Sequence, residues 1–191
     1  MKKVLLLLAN GFEFFEASVF IDVIGWNLEE GDNTTKLYTC GATKEIKSAF
    51  NHCLIADLLI DEVDVNEFDA LAIPGGFEVY GFYNDAYSDK FLELIREFSA
   101  KDKIIASICA GALPLGKSGV LKGKNGTTYR RADRREELKS FGVNVLDQPI
   151  VADDKLITSW NPATAANVAF MLLELLTDKE NTDKVRKLMG F

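Results

Sequence analysis

The chain has 191 residues, 48% of them apolar and 27% charged, which suits a single globular domain with a substantial core over residues 1–191. A net charge of -7 without any dense Lys/Arg cluster argues against nucleic acid or an anionic membrane as the main partner. Its three cysteines, Cys40, Cys53 and Cys109, form no Cys-x-x-Cys pair, so they fit neither a disulfide framework nor a zinc site and suit a reducing, cytoplasmic setting.

Val4–Leu8 is an apolar run too short for a signal peptide or for the ~18 residues of a membrane span, and it reads as a buried strand. Ala9-Asn10-Gly11 turns the chain into a helix predicted from about Glu13 or Phe15 to Glu30, stopped by Gly31-Asp32-Asn33. Lys36–Cys40 and Ile46–Phe50 read as shorter strands, while Leu54–Ile60 and Asp61–Glu67 fit either period. Leu71–Ile73 is a buried strand ended by Pro74-Gly75-Gly76. Phe91, Leu94, Ile95 and Phe98 repeat at helical spacing and predict an amphipathic helix over about Ser88–Ala100.

Ile104–Ile108 lacks polar alternation and reads as a fully buried strand, followed at once by Cys109 and a helix-compatible segment, Ala110–Ser118. Gly119–Gly126 reads as loop, Asp133–Phe141 as helix and Val143–Leu146 as strand. The run Arg130-Arg131, Arg134-Arg135 is broken by acids and reads as a solvated face. Ile150–Ala152 and Leu156–Ser159 form a predicted hairpin turned at Asp153-Asp154. Pro162–Leu176 is a nearly all-apolar, buried helix with proline in its first turn, and Asn181–Met189 is a last, more exposed one. Buried strands alternating with helices imply a mostly parallel sheet covered on both faces, with sites at the carboxyl ends of its strands.

Three loops fit that location. Cys109 stands where a strand turns sharply into a helix, the arrangement of a nucleophile elbow with sulfur in place of oxygen. A helix N-terminus favours a thiolate, so Cys109 is expected to have a pKa below the ordinary value of about 8.5 and to be the only activated thiol of the three. The plainer alternative is an inert cysteine packed under a helix. In the loop after the first strand, Glu13 and Glu16 flank two phenylalanines. A carboxyl desolvated among such rings is raised in pKa and can donate to sulfur, whereas the plainer alternative is an acidic helix start. Pro74-Gly75-Gly76 is able to bring bare backbone N–H close to a reacting oxygen and, with the Ala110 N–H, to form an oxyanion hole.

Together, Leu8-Ala9-Asn10-Gly11 with Glu16 and Asp22, Ile73-Pro74-Gly75-Gly76, Ile108-Cys109-Ala110-Gly111, and Thr158-Ser159-Trp160-Asn161-Pro162-Ala163-Thr164 resemble, in order and spacing, the DJ-1/ThiJ/PfpI superfamily. The resemblance implies a flavodoxin-like three-layer α/β sandwich with Cys109 as nucleophile, Glu16 as its acid partner, and Gly76 and Ala110 as oxyanion donors. It also implies a homodimer, a pocket reached by Tyr129, Trp160 and Asn161, and no cofactor or metal. The chain departs from the family pattern at two places. Peptidase-like members carry histidine directly after the cysteine, where this chain has Ala110. Others carry it after a Thr-Thr pair, where Thr127-Thr128 is followed here by Tyr129. The only histidine, His52, lies outside all three loops. The expected function is therefore a glyoxalase- or deglycase-like enzyme acting on small 2-oxoaldehydes through a Cys109 hemithioacetal. The alternatives are a redox-sensing or chaperone-like protein that oxidises Cys109, a peptidase- or amidase-like hydrolase, or a scaffold without activity.

Overall fold

The computed structural model describes residues 1–191. In chain order the elements are β1 (Lys2–Leu8), α1 (Phe14–Glu30), β2 (Thr35–Gly41), β3 (Glu45–Lys47), β4 (Cys53–Ile55), β5 (Leu58–Leu59), β6 (Ala70–Ile73), α2 (Phe82–Ala86) and α3 (Asp89–Ala100). They continue with β7 (Ile104–Ser107), α4 (Ala112–Ser118), β8 (Asn125–Gly126), α5 (Ala132–Ser140), β9 (Asn144–Val145), β10 (Ile150–Asp153), β11 (Leu156–Ser159), α6 (Ala165–Leu176) and α7 (Lys179–Leu188).

A seven-stranded sheet of order β10-β11-β7-β6-β1-β2-β5 forms the middle layer, parallel except for the β10–β11 hairpin. The period-2 geometry of a strand divides its side chains between two cores. On β1, Val4, Leu6 and Leu8 pack with α1, α6 and α7, while Leu5 and Leu7 pack with α2 to α5. On that first face β6 carries only Ala70 and Ala72, and β7 adds Ala106, with Ile104 partly buried at its start. These strands are buried on both sides over most of their length, which is why they read as apolar runs without polar alternation. The fold is the flavodoxin-like sandwich that the sequence implies.

Two helices begin at side-chain caps. Ser88 caps α3 by accepting from the Phe91 N–H, and Asp178 caps α7 by accepting from the Asn181 N–H at 2.9 Å. The Asn27 side chain donates to Thr35 Oγ1 at 2.8 Å and accepts from Asn181 Nδ2 at 2.6 Å, locking the end of α1 onto α7.

Several expectations need correction. The strand expected over Ile46–Phe50 stops at Lys47, because Phe50 and Asn51 take positive φ (67° and 65°) in a 3-10 turn. The ambiguous stretch 54–67 resolves into β5, the end of β4 and two 3-10 turns, Ile60–Glu62 and Val65–Glu67. The short helix α2 carries no periodic signal and was not expected. The loop 119–126 ends in a two-residue strand, β8, paired in parallel with β9. The helix after Cys109 begins only at Ala112; residues Cys109–Gly111 form a 3-10 turn.

Candidate active site

Strands β7, β6 and β1 are adjacent, and Leu6, Ala72 and Ala106 lie level in register, so the three loops that follow them emerge side by side. The chain runs from β1 outward to β2 and β5, then returns to β6 on the other side of β1. The crevice beyond β1 and β6 is thus a topological switch point, the place where open α/β sheets bind ligands. A cavity of about 270 Å³ opens there, and Cys109, Glu16, Gly76 and Ala110 all line it.

Cys109 has φ 56°, a left-handed conformation unusual for a side-chain-bearing residue and costing on the order of 1–2 kcal/mol. The surrounding turn holds it there. The Ile108 N–H donates to Ile73 O at 3.1 Å, the Gly111 N–H to Ile108 O at 2.8 Å, and Thr128 Oγ1 to Cys109 O at 2.9 Å. Glycine is needed at two close approaches. A Cβ on Gly111 would lie 2.6 Å from Ile73 O. One on Gly75 would lie 2.8 Å from Ala110 N and 2.9 Å from both Cys109 Cβ and Glu16 Oε2. Gly75 thus lets the acid, the thiol and the oxyanion loop share one small space.

Glu16 is completely buried on the first turn of α1. Its Oε2 accepts from the Gly75 N–H at 2.7 Å, its Oε1 makes no hydrogen bond, and the carboxyl stands beside the Cys109 thiol. Burial, reinforced by the charge of Glu13, pushes the Glu16 carboxyl up to about 8, although the Gly75 N–H and the thiol oppose the shift. Glu16 therefore keeps its proton at neutral pH. The Gly76 N–H has no acceptor within the chain, and the Ala110 N–H lies within reach of sulfur. Both residues line the cavity beside the thiol.

The expectation of a depressed Cys109 pKa is overturned. Burial raises it, the neighbouring Glu16 charge raises it further, and the Ala110 N–H opposes them only in part. The helix dipole invoked from the sequence is weak here, since α4 is short and starts three residues later. The thiol's hydrogen bond eases ionisation of the acid, whereas the acid disfavours ionisation of the thiol, so Glu16 is the group of the pair that ionises first. Of the other thiols, Cys40 is buried, with burial pushing it up to about 12, and Cys53 is exposed on β4, away from the cavity.

The family model described as "DJ-1/PfpI family" matches residues 2–175. The chain belongs to the DJ-1/PfpI family. The protein called Deglycase PfpI, from Pyrococcus furiosus, is 33% identical over 161 residues, covering 84% of this chain and 90% of that protein. Protein DJ-1 homolog B of Arabidopsis thaliana is 28% identical over 179 residues; the match takes in 93% of this chain but only 39% of that protein's length. Among solved structures, the crystal structure of Drosophila melanogaster DJ-1beta superposes with a TM-score of 0.86 at 29% identity, covering 98% of this chain and 97% of that one.

Other residues of this DJ-1/PfpI chain fall differently from expectation. Tyr129 does line the cavity, where the family pattern has histidine. Trp160 and Asn161 do not: Trp160 is stacked under the Arg130 guanidinium at 4.6 Å, and Asn161 O accepts from Thr164 in the turn that opens α6. That turn aims Pro162 into the cavity instead. His52 is exposed on the β3–β4 hairpin and does not line the cavity. Glu13, the other carboxyl of that loop and expected to point elsewhere, lines the same cavity as Glu16.

The run of arginines is not simply a solvated face. Arg134 is only 14% exposed, lies over the Tyr83 ring at 4.8 Å, and pairs with Glu78 and with Glu137 at 3.0 Å. Tyr87 donates to the same Glu137 at 2.5 Å. Tyr83 and Arg134 form a wall of the cavity. Sequence reasoning missed both, because that wall exists only where α2 packs against α5, far away in the chain.

Proposed function

We propose that this chain is a cysteine-dependent enzyme without a cofactor, acting on small 2-oxoaldehydes in a glyoxalase- or deglycase-like manner. The observation that carries the reading is a wholly buried, proton-holding Glu16 beside Cys109, with the Gly76 and Ala110 N–H groups on the same cavity. The relatives named as deglycases support it.

Cys109 adds through sulfur to the aldehyde carbon, giving a hemithioacetal. The Gly76 and Ala110 N–H groups hold the oxygen as its charge develops. Glu16 gives and recovers the proton, so no histidine is needed for this step. Tyr129 lines the cavity and offers a hydroxyl to a substrate oxygen. Peptidase chemistry fits less well, since no histidine stands by the thiol to act as general base. A redox-sensing role for Cys109 is the second reading, favoured by its being the one thiol that opens onto a cavity.

The deciding experiment is to measure 2-hydroxy acid formation from methylglyoxal with the wild-type chain and with Cys109→Ala. Turnover lost in the variant supports the enzyme. Absence of turnover in the wild type, with sulfenic or sulfinic acid formed at Cys109 by mild peroxide, supports the sensor.

A further inference from the structure

Converting a 2-oxoaldehyde into a 2-hydroxy acid moves two protons, and this inference rests on the 2-oxoaldehyde reading above. After sulfur has bonded to the aldehyde carbon C1, the hydrogen on C1 leaves as a proton and its electron pair forms an enediol. That proton arrives on C2, while the C1 oxygen gives up a proton and the C2 oxygen gains one. The product is a thioester on Cys109, and water cleaves its C–S bond to release the 2-hydroxy acid and restore the thiol. C1 is oxidised and C2 reduced by the same electron pair, so no outside oxidant or reductant enters.

Glu16 has one free oxygen, the other being held by the Gly75 N–H, and its carboxyl stands beside the Cys109 thiol. It is placed for the carbon-bound proton. The oxygen-to-oxygen transfer lies farther out and needs another group.

We propose that Glu13 is the second acid/base of this site and carries the proton between the two substrate oxygens. Its backbone is fixed by the N–H donating to Gly75 O at 2.8 Å, and its side chain lines the cavity with Cys109 while making no hydrogen bond or ion pair to any residue. The competing groups on the cavity are unsuitable. Glu78 is tied to Arg134 and 68% exposed. Arg131 and Arg134 are permanently protonated. Tyr129 and Tyr83 are phenols, and burial pushes Tyr83 higher still. No histidine reaches the cavity. Glu13 is also raised above the ordinary carboxyl value by partial burial, which brings it nearer to the range where an acid/base works.

The test compares wild type and Glu13→Gln with methylglyoxal and phenylglyoxal as probes. It measures turnover to the 2-hydroxy acid, protection of Cys109 from iodoacetamide by the aldehyde, and the melting temperature. We expect turnover to fall by about 30- to 100-fold in Glu13→Gln, the scale of a lost acid/base. Protection and melting temperature should stay close to wild type, because sulfur still captures the aldehyde. An active wild type with Glu13→Gln within twofold of it overturns the role of Glu13 and leaves the enzyme reading standing. A loss of turnover matched by an equal loss of protection also overturns it, since Glu13 then only shapes the pocket. A wild type that makes no hydroxy acid from either probe overturns the enzyme reading, and the role of Glu13 with it.

Discussion

Glu16 Oε2 accepts a hydrogen bond from the Gly75 N–H at 2.7 Å, joining the first turn of α1 to the loop after β6, 59 residues away in the chain. The bond fixes the carboxyl against the Cys109 elbow and places a buried acid where bulk water cannot reach it. Glu16→Gln keeps the shape, and its amide can still donate to sulfur, but the transferable proton and the negative charge are both gone. Turnover of a 2-oxoaldehyde should fall by about two orders of magnitude. Alkylation of Cys109 by iodoacetamide at mildly alkaline pH should become faster, because the thiolate no longer faces a carboxylate. Slower alkylation in Glu16→Gln would mean that the acid activates the thiol rather than restraining it.

The same burial gives a pH-dependent stability. The folded-state pKa of Glu16, about 8, lies above its ordinary 4.5, so the folded form binds the proton more tightly than the unfolded chain does. This contribution is complete below pH 4.5 and is lost as the pH rises through 8, amounting to about 5 kcal/mol at most. Urea denaturation of wild type and Glu16→Gln at pH 5 and pH 8.5 checks it. The wild type should lose midpoint relative to the variant at the higher pH; a difference that does not change with pH contradicts a proton-holding Glu16.

Gly75→Ala should disable the site and weaken the fold together. The added Cβ would stand 2.8 Å from Ala110 N and 2.9 Å from Glu16 Oε2, so either the elbow or the acid must move. Overpacking of this kind costs about 1–3 kcal/mol. Turnover should be lost even at temperatures where circular dichroism shows the variant folded. Retained activity would show that the elbow, acid and oxyanion loop need not be so close.

Of the three thiols, Cys109 should be the one oxidised or alkylated within a cavity, and its labelling should increase with pH without an inflection below about 8.5. Mass spectrometry of iodoacetamide adducts across a pH series locates the label. A plateau already reached by pH 7 would restore the low-pKa thiol expected from the sequence.

A twofold dimer is expected from the family resemblance, and exposed Phe15 and Phe50, at 55% and 56%, leave apolar surface for a second copy to cover. Light scattering at micromolar concentration should return twice the chain mass. A value near 21.2 kDa would count against the dimer.

What the sequence determined by itself was the layout. Strands β1, β6 and β7 are legible because a strand buried on both faces lacks polar alternation, α3 because its apolar positions repeat at helical spacing, and α6 because a long, nearly all-apolar run follows Pro162. The elbow at Cys109 and the glycines at Gly75, Gly76 and Gly111 are legible because crowded backbone tolerates little else. Tertiary structure alone decided the rest. Whether Glu13, Glu16 or both face Cys109 depends on how α1 leaves β1 beneath the Gly75 loop. The raised pKa of Cys109 comes from burial beneath several elements and from the Glu16 charge, neither of which a local motif records. Arg134 enters the wall through α2 and α5, and Trp160 turns away to the Arg130 guanidinium. Periodicity and turn chemistry act between neighbours in the chain, whereas desolvation and charge act through space, and only the folded structure says which distant residues become neighbours.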